Sequence, residues 1–476
     1  MKNCGDDMAK ILKPKPFRAL LAEHGAAVFE LLNEFKAVDS KGRYLHWHEF
    51  SRRVKGGVNK EAAWAAVKIA RVSGMKDLSL LSEDQQPFRL YMTDYSHKVI
   101  HDIEQLSGRL GGAAGSSAGH SQNTKYLVDS LMMEEAISSA QLEGAATTRK
   151  AAKEMLVKER EPQNDDERMI LNNYLLMRHA KYNKDQSLSL ELICEFHKLA
   201  TLGVKDEEVT PGRFRETDDI FVGGRDDEVA HQPPQADLLL DRLENLCAFA
   251  NEAHDGQDGR LFIHPVVKAI TLHFMIGYEH PFRDGNGRTA RCLFYWFMLK
   301  SGYWAFEYIS ISALLKQAPV QYGESYLFTE NDDFDMTYFV LYQLKIIERA
   351  VAEFIQYFES KRKEFYELMN WLDECGVSKM LNYRQGHMLK KIIRNPGRIF
   401  ISKELVHDYD ITENTARKDL EGLVDLKALA KIREGKSFLY VARSDAAENL
   451  KRGKIDLKAV IRKTDLGGLS YRPTKS

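Results

Sequence analysis

Apolar residues recur at spacings of three and four along most of the chain, whereas strand-like alternation is scarce, so a mainly α fold with small pieces of sheet is expected. Val266, Ile270, Phe274 and Tyr278 repeat every four positions behind Pro265, which suits a first helical turn, and predict a buried helix ending near Gly277. Ala290, Leu293, Phe294, Phe297 and Met298 share one face of a second helix that should stop near Ser301-Gly302. Upstream, Val128, Met132, Ala136 and Ala140 form another stripe, which Glu143 extends just before Gly144. Three soft stretches interrupt the helices. The Gly, Ala and Ser run after Leu110 reads as a connector, and Glu159 to Glu167 as a surface loop. Asp219, Ile220, Phe221 and Val222 before Gly223-Gly224 give a short hairpin signal. Near the C-terminus two short helical patterns, opening at Ile401 and Ile411, precede a hairpin from Ile432 to Val441 that turns at Glu434-Gly435.

The 476 residues suggest several compact units. Lys and Arg total 68 against 69 Asp and Glu, so no global attraction to nucleic acid or anionic membrane is implied; 44% hydrophobic and 29% charged residues exclude a chain disordered throughout. The five cysteines (Cys4, Cys194, Cys247, Cys292, Cys375) have no zinc or disulfide spacing. No apolar run is long enough to span a membrane, and the opening MKNCGDDMAK lacks a secretory signal's apolar stretch. A cytoplasmic protein without membrane partners is expected.

The chemistry concentrates between the two buried helices, in His280-Pro281-Phe282-Arg283-Asp284-Gly285-Asn286-Gly287-Arg288-Thr289-Ala290-Arg291. Gly285 and Gly287 let backbone approach a ligand, and free N–H groups at the following helix start favour an anion. Arg288 and Arg291, three apart, could hold two successive phosphates, and Asp284 offers a hard oxygen to Mg²⁺. His280 can accept a proton near neutral pH. Singly these residues are a turn, two solvated cations and a packed histidine. Together they suit nucleotide-dependent transfer to a hydroxyl.

His280 to Arg291 matches His-x-Phe-x-Asp/Glu-Gly-Asn-Gly-Arg-x-x-Arg and so resembles the signature of the Fic family. The resemblance implies a helical Fic core with a β-hairpin flap that moves AMP from ATP to a Ser, Thr or Tyr hydroxyl of a protein, itself included. It implies His280 as general base, Asp284 as Mg²⁺ ligand and Phe282 as a buried plug. Arg283, Gly285, Asn286, Gly287, Arg288 and Arg291 become the ATP phosphate site, and Gly287, where the phosphorylating branch has lysine, favours adenylyl transfer. Ser139-Ala140-Gln141-Leu142-Glu143-Gly144 is similar to the family's Ser/Thr-x-x-x-Glu-Gly/Asn inhibitory motif, so Glu143 and Ser139 are expected to occupy Arg291 and restrain the enzyme. Physically, Glu143 in a last helical turn is misplaced unless another element supplies a cation.

Ile220, Phe221 and Val222 resemble the edge of the flap, which would hold target peptide by strand addition, within a segment running from Phe214 to Gly224. Tyr322 lies about where relatives place an aromatic near adenine. Residues 385–445 resemble a winged helix-turn-helix of the DeoR-like kind, in which Thr412, Asn414, Thr415, Arg417 and Lys418 would face nucleic acid; DNA binding and protein docking are both open. The expected division is an N-terminal helical region (1–110), a flexible linker (111–122), the inhibitory segment (123–158), the Fic core (159–350), a linking helix (351–384), the winged helix and a basic tail (446–476). A homodimer is possible. Removal of AMP, another nucleotide transfer, or a DNA-binding regulator with a nucleotide-sensing core are the alternatives.

Overall fold

The computed structural model describes residues 11–114, 133–157, 160–203, 209–223, 229–374, 381–409, 411–434 and 437–451. The chain divides into two compact units, Met1–Phe354 and Ile355–Ser476. The first opens with helices α1 (Phe17–Leu31), α2 (Trp47–Arg53) and α3 (Lys60–Val72), then an antiparallel hairpin, β1 (Lys76–Leu81) with β2 (Pro87–Leu90), and α4 (Asp94–Ala114). There follow α5 (residues 133–142), α6 (Arg149–Val157), α7 (Asp165–Tyr182) and α8 (Leu190–Thr201). A second hairpin pairs β3 (Val222–Gly223) with β4 (Val229–His231). Then come α9 (Leu239–Asn251), α10 (Pro265–Glu279), α11 (Asn286–Lys300), α12 (Ser312–Leu315), α13 (Pro319–Asn331) and α14 (Thr337–Glu374), whose residues from Ile355 on belong to the second unit.

The core is built on α10 and α11, each buried on nearly every side rather than along one stripe. Val266, Ile270, Leu272 and Phe274 from α10 and Leu293, Trp296 and Met298 from α11 are essentially inaccessible. A helix apolar all round belongs at the centre of a layered domain. Since α11 carries Arg288 and Arg291 into that interior, the two arginines are not solvated surface cations.

The N-terminal region is not a separate body. Lys68 reaches the buried Asp332 at 2.8 Å and Asp333 at 3.0 Å. Arg71 donates to Tyr338 Oη at 2.7 Å and to the carbonyls of Leu45 and Ala37, and its guanidinium lies 3.6 Å from the centre of the Tyr44 ring. Phe88 of β2, a strand the helical spacing had not announced, packs edge-on against Phe274 and Tyr278. Residues 111–114 of the expected linker continue α4, because the Gly and Ala content that weakens a helix does not forbid it; the remainder of that linker, together with Val128 and Met132, lies outside the described residues. Met133, Ile137 and Ala140 of α5 share one small core with Ala152, Met155 and Leu156 of α6 and Ile170 of α7.

The second unit contains α15 (Tyr383–Arg394), β5 (Ile399–Phe400), α16 (Ser402–Tyr409), α17 (Glu413–Asp425), β6 (Leu429–Glu434), β7 (Ser437–Ala442) and α18 (Ala446–Lys451). Its sheet runs β5-β7-β6, all antiparallel. Asn382 and Gln385 close a capping box on α15, and Thr412 caps α17. Ala446 and Leu450 are buried in the same core as Leu389, Leu420 and Tyr440, so the chain beyond 445 begins as a packed helix and not as a tail. Gly435 and the tail from Arg452 lie outside the described residues.

Candidate active site

α10 ends one residue beyond Tyr278, and His280 caps it in the left-handed conformation at φ 44°. That backbone is held by Arg215, whose guanidinium donates to the carbonyl of His280 at 3.1 Å, to those of Pro234 and Glu279, and to Asp218. His280 Nδ1 lies 3.2 Å from the Gly277 carbonyl, an acceptor only, so Nδ1 carries the proton and Nε2 keeps its lone pair. Burial pushes the His280 pKa down to about 4, so the ring is neutral near pH 7.

The loop is wound tightly over a plug. Phe282 is fully buried between Phe214 and His197, the latter stacked on it with centroids 3.6 Å apart. Phe214 thus belongs to a loop under the site; the hairpin itself is confined to β3 and β4. His197 Nε2 donates to the Asp284 carbonyl at 2.9 Å while its Nδ1 accepts from the Gly212 amide. Asn286 spends both ends of its side chain on Phe282, accepting from its amide at 3.0 Å and donating to its carbonyl at 2.6 Å. It therefore fixes the loop, leaving backbone to meet an anion. Gly285, at φ 79°, adopts a conformation few other residues tolerate, and any β-carbon there would strike Thr201.

The two arginines diverge. Arg288 binds the Ala200 carbonyl of α8 and Asp284 Oδ2, each at 2.6 Å. Arg291 turns the opposite way, to α5, where its Nε meets Ser139 Oγ at 2.9 Å and its Nη2 meets Glu143 Oε1 at 2.9 Å. The expected sharing of two phosphates would require both guanidinium groups to exchange these protein partners for ligand. Burial alone would raise the Asp284 pKa, but the Arg288 guanidinium holds it below the usual carboxylate range. Arg283 points away from the loop to Asp219 and Thr217 at the base of the flap.

One cavity gathers Glu143, Val222, Gly223, His231, Gly277, His280, Asn286, Gly287, Tyr322 and Tyr326. Ile220 and the exposed Phe221 flank it on the flap without lining it. Tyr322 is buried, and its hydroxyl meets His273 Nε2 at 2.7 Å. Sequence reading missed Arg215, His197 and His231. Each is a lone polar residue in an unremarkable segment, and nothing in its spacing shows that its partners are backbone carbonyls distant in sequence. His231 joins Glu330 of α13 at 2.8 Å to the Tyr278 carbonyl at 2.7 Å, pinning the flap.

Mg²⁺ fits this loop in a limited sense. Asp284 is partly exposed; its carboxylate is bonded by Arg288 and by the Gly285 amide, and its remaining lone pairs suit a cation that takes one or two carboxylates and completes its shell with phosphate and water. Among the described residues the single three-residue cluster with metal-ligand geometry, Glu23, His24 and Glu61, lies elsewhere.

Residues 187–298 match the family model described as Fic/DOC family. Protein adenylyltransferase Fic of Drosophila virilis is 32% identical over 141 residues, 29% of this chain and 26% of that protein. Protein adenylyltransferase fic-1 of Caenorhabditis elegans is 32% identical over 116 residues, 24% of this chain and 20% of that protein. The chain thus spans about a quarter of the length of these relatives. A Fic family protein from Desulfovibrio desulfuricans aligns with 74% of this chain and 97% of its own at TM-score 0.46 and 17% identity. A segment of Fic-1 from C. elegans aligns with 72% and 84% at TM-score 0.46 and 17% identity. The match to the Fic/DOC family model runs from the approach to α8 through most of α11, with the loop of His280 to Arg291 inside it.

Proposed function

We propose that this protein is an adenylyltransferase that moves AMP from ATP to a Ser, Thr or Tyr hydroxyl of a protein, and that Glu143 restrains it. The observation that carries the reading is the neutral His280 ring, its Nδ1 taken by the Gly277 carbonyl, lining the same cavity as Gly287 and Tyr322.

The target oxygen loses its proton to His280 Nε2 as it attacks the α-phosphorus; the bond from that phosphorus to the bridging oxygen of the β-phosphate breaks, and pyrophosphate leaves. His280, set by Arg215, receives the proton. Backbone N–H groups from Asn286 onward meet the negative charge that grows on the phosphoryl oxygens. Asp284 would hold Mg²⁺, which supplies charge neutralisation on the polyphosphate. Tyr322 and Tyr326 offer aromatic surface on the side of the cavity where an adenine would rest, and the β3-β4 flap offers its edge to an extended target segment.

Glu143 places a carboxylate beside the start of α11, where an anion is favoured, and takes Arg291 from a terminal phosphate. Incubation of wild type and Glu143→Gly with ATP labelled at the α or the γ position tests the reading. Protein label from the α position alone, greater in the variant, is the expected result. Label from γ alone would make the protein a kinase, and none from either would leave a nucleotide sensor.

For the second unit we read a winged helix that docks a protein. α17 exposes Asn414, Arg417 and Lys418, yet Arg417 is paired with Glu413 at 2.7 Å and Lys431 of β6 with Glu421, which cancels much of the positive field that DNA needs.

A further inference from the structure

α5 and α11 run antiparallel in a fixed register of one contact per turn. Tyr295 meets Glu135, Arg291 meets Ser139, and Gly287 lies against Glu143, each step four residues up one helix and four down the other. The far end of this ladder is the most heavily bonded. Glu135 is 3% exposed, and its carboxylate accepts from Tyr295 Oη at 2.9 Å, Ser310 Oγ at 2.7 Å, the Ser312 amide at 3.2 Å and the Ser312 hydroxyl. The Tyr295 hydroxyl also lies 2.9 Å from the Ile309 carbonyl, so its one proton is shared between that oxygen and Glu135, and it accepts from the Ile311 amide; the socket is one connected network with the turn before α12.

We infer that Glu135 is a positioning residue, the anchor that sets the register of α5 on α11 and so delivers Glu143 to Arg291; the inference rests on the reading of Glu143 as a restraint. A buried carboxylate with several donors tolerates displacement badly, because the Tyr295 and Ser312 donors it would leave are buried too. Sliding α5 by one turn, about 5.4 Å, would strand Glu135 among the apolar side chains of the helix interface and carry Glu143 past Gly287. Ile137 and Ala140 pack in the small core shared with α6 and α7, so their apolar contacts do not face α11 and do not set the register on it. Ser139 also bonds Arg291, but through that one side chain, whereas Glu135 ties α5 both to α11 and to the turn before α12.

The full chain answers this in four forms: wild type, Glu135→Gln, Glu143→Gly and the double variant. Glu135→Gln keeps size but replaces one acceptor oxygen with an NH2 group, so at least one of the four accepted bonds becomes a donor-to-donor contact. Transfer of α-label should rise about threefold to tenfold over wild type, the range for one or two lost buried bonds, while hydrogen exchange across 133–143 quickens. In the Glu143→Gly background the same substitution should add nothing, because there is no restraint left to misplace. A merely structural role would lower transfer in both backgrounds. Should Glu135→Gln fold poorly, Tyr295→Phe, which removes a single donor, should show the same dependence on Glu143 at smaller amplitude. If Glu143→Gly is activated while Glu135→Gln stays at the wild-type level with unchanged exchange, the anchor is wrong and the restraint stands. If Glu143→Gly itself gains nothing, the restraint is wrong and the positioning role falls with it.

Discussion

Glu143 occupies the space that Gly287 leaves empty: a β-carbon at residue 287 would overlap Glu143 Oε1, and that oxygen lies 2.9 Å from Arg291 Nη2. The second glycine of the loop therefore makes room for the carboxylate that pairs with Arg291.

Opposite outcomes follow for two small substitutions at this contact. Glu143→Gly should tighten ATP binding by on the order of tenfold, because the buried Arg291 loses its protein counter-charge and gains from a phosphate. Gly287→Ala should weaken it by a similar factor, since the methyl blocks the approach of any anion. Calorimetric titration with ATP and Mg²⁺ distinguishes the two; tighter binding to Gly287→Ala would show that the carboxylate alone, and not the backbone, limits access.

Acid should undo the fold before it undoes the chemistry. Burial drives the pKa of His46, His197 and His280 down to about 4 and that of His273 down to about 3. A folded-state value below the unfolded one makes stability complete above the unfolded pKa near 6.5 and removes it as pH falls toward 4. Each ring would contribute on the order of 1–3 kcal/mol to that loss. The His231 pair with Glu330 has the opposite sign: it raises the His231 pKa against the cost of burial, and its contribution fades as pH rises through that raised value. Thermal unfolding between pH 7.5 and 4.5 should show a steep fall on the acid side, halved in a variant that replaces two of the acid-sensitive rings with leucine or phenylalanine.

Removing either partner of the Lys68–Asp332 pair should be far costlier than removing both. Lys68→Met leaves the Asp332 carboxylate buried with Tyr338 but without its cation, a loss of about 3–5 kcal/mol, whereas Lys68→Met with Asp332→Leu should recover a large part of it. Denaturant unfolding of the two variants decides it, and equal losses would mean that the packing, not the charge, is what matters there.

Binding of labelled duplex to the full chain should be weak at 150 mM salt and only gently salt-dependent, because Arg417 and Lys431 already have acidic partners. A steep decline of affinity between about 50 and 200 mM salt, as expected for several phosphate contacts, would reverse the reading of α17 as a protein-docking face.

Read alone, the sequence settled the helical class, the two helices flanking the loop, the loop residues themselves and the carboxylate at the end of α5, because periodicity and glycine placement are local properties. Tertiary structure decided everything that depends on partners distant in the chain. It placed Arg288 against α8 and Arg291 against α5 although they stand three residues apart, and gave the Asn286 side chain to Phe282. It brought Arg215 under His280, and Glu135 into a socket of hydroxyls more than 150 residues downstream. A buried polar group is defined by what satisfies it, and no spacing rule names a partner that the fold alone brings within hydrogen-bond distance.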